Sequence, residues 1–166
     1  GLTHAMAAAD YDNDGDLDVF FSNMTMYHDG HGGYGRNAFY RNDGNGYFAD
    51  KTDEVGLSTQ RNDTRGAVAF DADNDGWLDI FAANWGQPCE FYLNRGDGRF
   101  RRENRGAEGP RDDESAKQGV TAADFDNDGD IDLYVCRRET GNWLLVNGGG
   151  GYFSERAADY QVDVGG

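Results

Sequence analysis

Apolar and polar positions follow one order three times along the chain. Each round begins with a run of small residues: Ala5-Met6-Ala7-Ala8-Ala9, Gly66-Ala67-Val68-Ala69-Phe70 and Gly119-Val120-Thr121-Ala122-Ala123. After an acidic loop comes an apolar run, Leu17 to Ser22, Leu78 to Ala83 and Ile131 to Cys136. Phe20 beside Phe21, Ile80 beside Phe81 and Tyr134 beside Val135 put apolar groups on both faces, the pattern of a strand packed between two sheets. A third run, Asn37 to Arg41, Glu90 to Leu93 and Asn142 to Val146, ends in a five-residue turn. The turns read Asn42-Asp43-Gly44-Asn45-Gly46, Asn94-Arg95-Gly96-Asp97-Gly98 and Asn147-Gly148-Gly149-Gly150-Gly151. Asn first, with Gly third and fifth, is expected to supply the positive-φ positions of a tight hairpin. A fourth strand then opens on Tyr47-Phe48, Phe100 or Tyr152-Phe153.

The acidic loops share a stricter grammar. Asp10, Asp12, Asp14 and Asp18 occupy the first, third, fifth and ninth positions, with Gly15 sixth; Asp71, Asp73, Asp75 and Asp79 do so around Gly76, and Asp124, Asp126, Asp128 and Asp132 around Gly129. Carboxylates at this spacing converge hard oxygen ligands on one point, as Ca²⁺ requires, and the Gly allows the sharp turn. The seventh position is Asp16, Trp77 or Asp130, so its expected ligand is the main-chain carbonyl, which does not depend on the side chain. Three solvated acidic turns are the plain alternative, but chance acidity does not reproduce spacing, Gly and following aliphatic residue three times. An EF-hand wants a bidentate Glu at the twelfth position, where the loops have Phe21, Ala82 and Val135.

The expected fold class is therefore all-β and β-propeller-type. It has three four-stranded antiparallel blades, at 1–55, 56–108 and 109–166, each with a calcium loop between its first and second strands. The small first strands suit the crowded axis of such an arrangement. Alternation of strand direction puts the acidic loops and Asn-Gly turns at one end and the second-to-third and blade-to-blade connections at the other. Closed propellers use about four to eight blades. Three blades are thus expected to be completed by further blades or by other chains.

The Asp-x-Asp-x-Asp-Gly-x-x-Asp loop with its aliphatic strand, followed by Asn-Ala-Phe-Tyr-Arg-Asn-Asp-Gly-Asn-Gly-Tyr-Phe at 37–48, resembles FG-GAP/VCBS repeats. These are the repeats of integrin α-subunit propellers and of secreted proteins similar to cartilage acidic protein. The resemblance spans all three units and implies calcium in the loop between first and second strands, with an extracellular adhesion or recognition role.

Composition sharpens this. Net charge is −16 and mean hydropathy −0.83, values that approach disorder, but ten Phe, nine Tyr and three Trp sit in regular strand patterns. Fourteen of the 31 acidic residues lie inside the three loops, so metal is expected to be part of the fold. The charge is wrong for nucleic acid, and no apolar run approaches membrane-spanning length. Extracellular calcium modules work at roughly 10⁻⁴–10⁻³ M, which points to an extracellular or cell-surface setting. Cys89 and Cys136 fall at the same end of neighbouring units; a bridge and two separate thiols both fit.

Irregular loops on a rigid scaffold are where recognition is usually placed. The first unit carries an insertion between Met24 and Gly35 containing Tyr27, His28, Asp29, His31 and Tyr34. It reads as a contact loop, as an inert Gly-rich excursion, or as a transition-metal site at His28 and His31. Arg61, Trp85, Arg111 and Arg137 belong to the same end and complete the candidate surface for a protein partner, further blades or a glycan. No nucleophile elbow, phosphate loop or Cys-His signature appears, so no catalytic residue is assigned. Glu90, Glu103 and Glu139 are the acids left over for a glycosidase pair. A lectin-like carbohydrate binder, suggested by Trp85, Trp143 and the Tyr content, is the alternative to a protein-recognition module.

Overall fold

The computed structural model describes residues 2–24, 26–28, 31–33, 35–57, 62–109 and 115–163, with side chains from Thr3 onward and outside 25–34. Sheet 1 holds β1 (Leu2–Ala9), β2 (Asp18–Met24), β5 (Ala38–Asn42) and β6 (Phe48–Asp50), with β3 (Met26–His28) and β4 (His31–Gly33) forming a small hairpin within the insertion. Sheet 2 holds β7 (Thr64–Phe70), β8 (Asp79–Asn84), β9 (Glu90–Asn94) and β10 (Phe100–Glu103). Sheet 3 holds β11 (Ala116–Ala123), β12 (Asp132–Arg138), β13 (Trp143–Asn147) and β14 (Phe153–Glu155). Every pairing is antiparallel between strands neighbouring in each sheet, and no helix occurs among the described residues.

The small-residue strands pack side by side, β1 on β7 and β7 on β11. A Cβ added at Gly66 would stand 2.9 Å from Gly119 Cα, so that crossing admits no side chain. Each first strand also carries one register shift, between Thr3 and Ala5, Thr64 and Gly66, and Lys117 and Gly119. These bulges bend the strand before it enters the crowded region. The strands begin up to three residues before the small-residue runs, because pairing extends through the bulge.

Two cores lie between the sheets. Ala9, Tyr11, Phe20, Phe39 and Val55 of the first unit meet Leu57, Ile80, Ala82, Tyr92 and Phe100 of the second. Phe70, Phe81, Phe91, Leu93 and Ala107 of the second meet Leu133, Val135, Trp143, Leu145 and Phe153 of the third. The ring opening each later fourth strand is the knob of its joint. Phe100 packs edge-on against Tyr11 (5.8 Å) and Phe39 (5.7 Å), and Phe153 against Phe70 (6.2 Å) and Phe91 (5.6 Å). Each such pair contributes about 0.5–1.5 kcal/mol beyond the area it buries. All six residues of β8 and all five of β9 are buried, as expected for a middle sheet covered on both sides, whereas β2 and β12 alternate or open outward.

The hairpin turns refine one expectation. Positive φ falls on Gly44 and Gly46, Gly96 and Gly98, and Gly149 to Gly151, while the leading Asn has a different task. Its side-chain oxygen accepts the N–H of the third residue, at 3.1 Å in all three turns. Cys89 and Cys136 form no disulfide: Cys89 is buried in the second core, and Cys136 is exposed on the outer face of sheet 3.

Candidate metal centres and the opposite end

Each acidic loop folds around its own carboxylates. The first Asp accepts the N–H groups of the fifth and sixth residues: Asp10 from Asp14 and Gly15, Asp71 from Asp75 and Gly76, Asp124 from Asp128 and Gly129, all at 2.9–3.2 Å. The fifth Asp accepts the N–H of the seventh residue at 2.9 Å in every loop. The ninth Asp is buried and ties the loop to the third strand, with Asn42 N–H on Asp18 (2.9 Å), Asn94 N–H on Asp79 (2.7 Å) and Asn147 N–H on Asp132 (2.8 Å).

The third position behaves differently. Asp12 Oδ1, Asp73 Oδ1 and Asp126 Oδ1 are buried and have no hydrogen-bond partner. A buried carboxylate oxygen left unpaired is costly, and the same atom is unpaired in all three loops. Ligand oxygens of Asp10, Asp12 and Asp14, of Asp71, Asp73 and Asp79, and of Asp124, Asp126 and Asp132 lie within 4.8 Å of one another in their respective loops. That set, all hard oxygen, fits a divalent cation of the Ca²⁺ type. The seventh side chains turn away toward the hairpin turns. An added Cβ at Gly44 would stand 2.5 Å from Asp16 Oδ2, and one at Gly96 2.7 Å from Trp77 Nε1. Trp is therefore tolerated there.

Without a cation four of the loop carboxyls, Asp12, Asp18, Asp79 and Asp126, resist ionisation. Burial pushes Asp79 up to about 7 and Asp18 up to about 6. Burial and the neighbouring Asp14 raise Asp12, and burial with Asp128 and Asp132 raises Asp126. Arg41, 3.9 Å from Asp12, partly offsets the rise there, and Arg105 pairs with Asp73 at 3.3 Å.

The fourth loop position carries a bond that the spacing did not reveal. Asn13, Asn74 and Asn127 all take positive φ, and the first two reach across to the next sheet's loop, Asn13 to Gly76 O (3.3 Å) and Asn74 to Asp130 (2.6 Å). The signal was present as an invariant Asn among the three loops, but its meaning depends on how the sheets pack.

The opposite end is basic and aromatic. Arg65 lies over the Trp85 ring at 4.2 Å with Arg138 at 5.8 Å, and Arg137 lies over Trp143 at 4.6 Å with Lys117 at 5.2 Å. Trp85 is half-buried and forms a bridge to Ala116, whereas Trp143 is buried. Of the insertion, β3 and β4 place His28 opposite His31 along the backbone. The side chains of Tyr27, His28 and His31, and residues Asp29, Tyr34, Arg61 and Arg111, lie outside what the structure describes. The leftover acids do not pair with one another. Glu90 is buried 3.7 Å from Arg102, Glu103 pairs with Arg101 (2.7 Å), and Glu139 with Arg138 (3.0 Å).

A repeat of four-stranded antiparallel sheets, each closing an aspartate loop between its first two strands, defines the class. The FG-GAP-like repeat profile matches residues 10–82 and again 71–135, and the chain belongs to that family. It is similar to cartilage acidic protein 1 of Mus musculus (34% identity, covering 67% of this chain and 20% of that protein) and of Homo sapiens (32%, 67% and 19%). The Xenopus tropicalis protein of the same name is 32% identical over 60% of this chain and 16% of its own length. The chain thus spans about a fifth or less of these relatives. No helix among the described residues is long and apolar enough to cross a membrane.

Proposed function

We propose that the chain is a calcium-stabilised, non-catalytic recognition module of propeller type that works outside the cell or at its surface. The observation that carries the metal reading is the buried, unpaired Oδ1 of Asp12, Asp73 and Asp126, repeated at one loop position. Ca²⁺ would be held by Asp10, Asp12, Asp14 and Asp18, by the corresponding four aspartates of each later loop, and by the carbonyls of Asp16, Trp77 and Asp130. The ion supplies positive charge at the centre of each loop. The chain's own residues then do the rest: the ninth Asp fixes the loop to the third strand, and in the first two loops the fourth Asn fixes it to the neighbouring sheet.

That rigid end leaves the opposite end as the recognition surface, through Trp85, Arg65, Arg137 and Arg138 with the insertion beside them. A protein partner suits it better than a glycan, because Trp143 is buried and both Trp rings already carry cations. Sugar stacking needs an open ring face. Screening calcium-loaded protein against arrays of secreted proteins and of glycans tests this. Saturable protein binding lost on Trp85→Ala supports the reading; hits confined to glycans would replace it.

A further inference from the structure

The three acidic loops share their ligand spacing but not their charge. The first and third hold five aspartates each and the second four, because Trp77 stands where Asp16 and Asp130 stand. The cations beside them differ as well. Asp73 of the second loop pairs with Arg105 at 3.3 Å, and that arginine side chain is only 17% exposed. Asp12 of the first loop has Arg41 at 3.9 Å, which is 42% exposed and so screened by solvent. Asp126, at the same position of the third loop, has no ion pair among the described residues.

Arg105 is built into the joint between sheets 2 and 3. Its carbonyl accepts the N–H of Phe153 at 2.7 Å, as Val55 accepts that of Phe100 in the first joint, so the two residues are counterparts. Its guanidinium donates to Asp73 Oδ2 and to Gly150 O of the third turn, and lies 5.1 Å from the Tyr152 ring. The turn admits the arginine because it is made of glycine: even a Cβ on Gly151 would stand 3.2 Å from Arg105 Nη1. Arg105 also holds φ 40°, a conformation that is unfavourable for a residue with a Cβ and that Val55 does not take. In the first joint the corresponding space is a gap of about 10 Å³ between Asp12, Arg41, Val55 and Gly98.

Orienting Asp73 is not what the arginine is needed for. The same Oδ1 is buried and unpaired in Asp126, which has no arginine beside it, so the loop itself sets the pose of that carboxylate. What Arg105 brings is a positive charge on the other oxygen of a candidate ligand. It attracts the carboxylates of the second loop while no metal is bound, and it repels a divalent cation that arrives. Both effects lower the gain on binding. The missing seventh aspartate acts in the same direction, since ligand charge count tunes calcium affinity.

We infer that the three centres bind calcium with unequal affinity and that the second is the weakest, with Arg105 as its built-in cation. From tightest to weakest the order is third, first, second: five carboxylates with no paired arginine, five with an exposed one, four with a buried one. The joint between sheets 2 and 3 is accordingly held at its acidic end by Arg105 before the second ion binds. The ranking rests on the calcium reading proposed above, and adds which centre fills last and which residue decides it.

Terbium, a hard cation that takes calcium sites, tests the ranking because Trp77 is an antenna in the second loop, whereas Trp85 and Trp143 lie at the opposite end. In a stoichiometric titration of metal-free protein, terbium emission excited through tryptophan should stay low over the first two equivalents, rise over the third, and be displaced by calcium chloride. Arg105→Gln should bring the rise forward and tighten the second centre about tenfold, the order of a unit charge acting on a nearby divalent ion even at a water-like dielectric. Arg105→Gly, which suits the positive φ, should do the same, and Arg105→Lys, which keeps the charge, should stay within about twofold of the wild type. Melting each variant in calcium shows that it folds. Wild-type emission that rises with the first equivalent overturns the inference and leaves the calcium sites standing. So does an affinity that Arg105→Gln and Arg105→Gly leave unchanged or weaken. Emission that never saturates and that calcium does not displace overturns the metal reading, and the inference with it.

Discussion

At one end of each sheet stand an aspartate loop and an Asn-Gly turn, interchangeable among the three units. At the other stand a two-stranded hairpin after β2, a Trp85 ring clasped by Arg65 and Arg138, and a Trp143 ring clasped by Arg137 and Lys117, no two alike. The acidic end presents a demand that is the same in every unit, clustered carboxylates that a shared cation would relieve. The basic end satisfies nothing common to the three. Repetition marks what holds the sheets in place, and irregularity marks where they can differ in contact.

The largest expected effect separates the two ends by stability. At a calcium concentration of 100 Kd each site contributes about 2.7 kcal/mol by mass action. About 2–4 °C per kcal/mol applies to a domain of this size. Excess chelator should therefore lower Tm by about 15–30 °C, read by circular dichroism; an unchanged melt would erase the distinction. Next in size, Asp126→Ala should lower Tm in calcium by about 5–10 °C on the same arithmetic. In chelator it should raise Tm, since it removes a carboxylate crowded by Asp128 and Asp132. A fall in both conditions would mean that the residue serves packing rather than a cation.

Acidity should act with opposite sign in the two states. Metal-free, Asp79 and Asp18 have folded pKa values of about 7 and about 6, above the ordinary carboxylate value of about 3.9, so the folded form holds the extra protons. Their contribution is present at low pH and lost as pH rises through 6 to 7, so Tm in chelator should rise on acidification from pH 8 to 5. In calcium the same carboxylates are held ionised, and Tm should fall over that window. Parallel curves would contradict the metal reading. The smallest effect belongs to the basic end: Arg65→Ala removes the nearer of the two cations over Trp85, worth about 0.5–1 kcal/mol, together with its ion pair to Asp63, and should leave the calcium-induced rise in Tm unchanged.

Legibility divides along the same line. Strand order, acidic loops and turns were readable because each is fixed by residues close in sequence: Gly15 admits the turn that brings Asp10 onto Asp14 N–H, and Trp77 fits because its side chain points away. The joints were not readable. Asn74 looks like any loop Asn until Asp130 of another sheet stands 2.6 Å away, and the leading Asn of the second and third turns donates across to the preceding unit, Asn94 to Tyr11 O and Asn147 to Ala72 O, rather than supplying positive φ. Buried Glu90 beside Arg102 and Trp143 between Arg137 and Lys117 depend on strand register within one sheet, and Arg138 over Trp85 on the neighbouring sheet. The contact candidates Arg61 and Arg111 lie outside the described residues.

Isothermal titration of metal-free protein with calcium at neutral pH tests the central claim most directly. The account predicts saturable binding of three ions per chain with release of protons from the raised carboxyls, and two ions for Asp126→Ala. Heats that never saturate at millimolar calcium, or a stoichiometry untouched by Asp126→Ala, would contradict it.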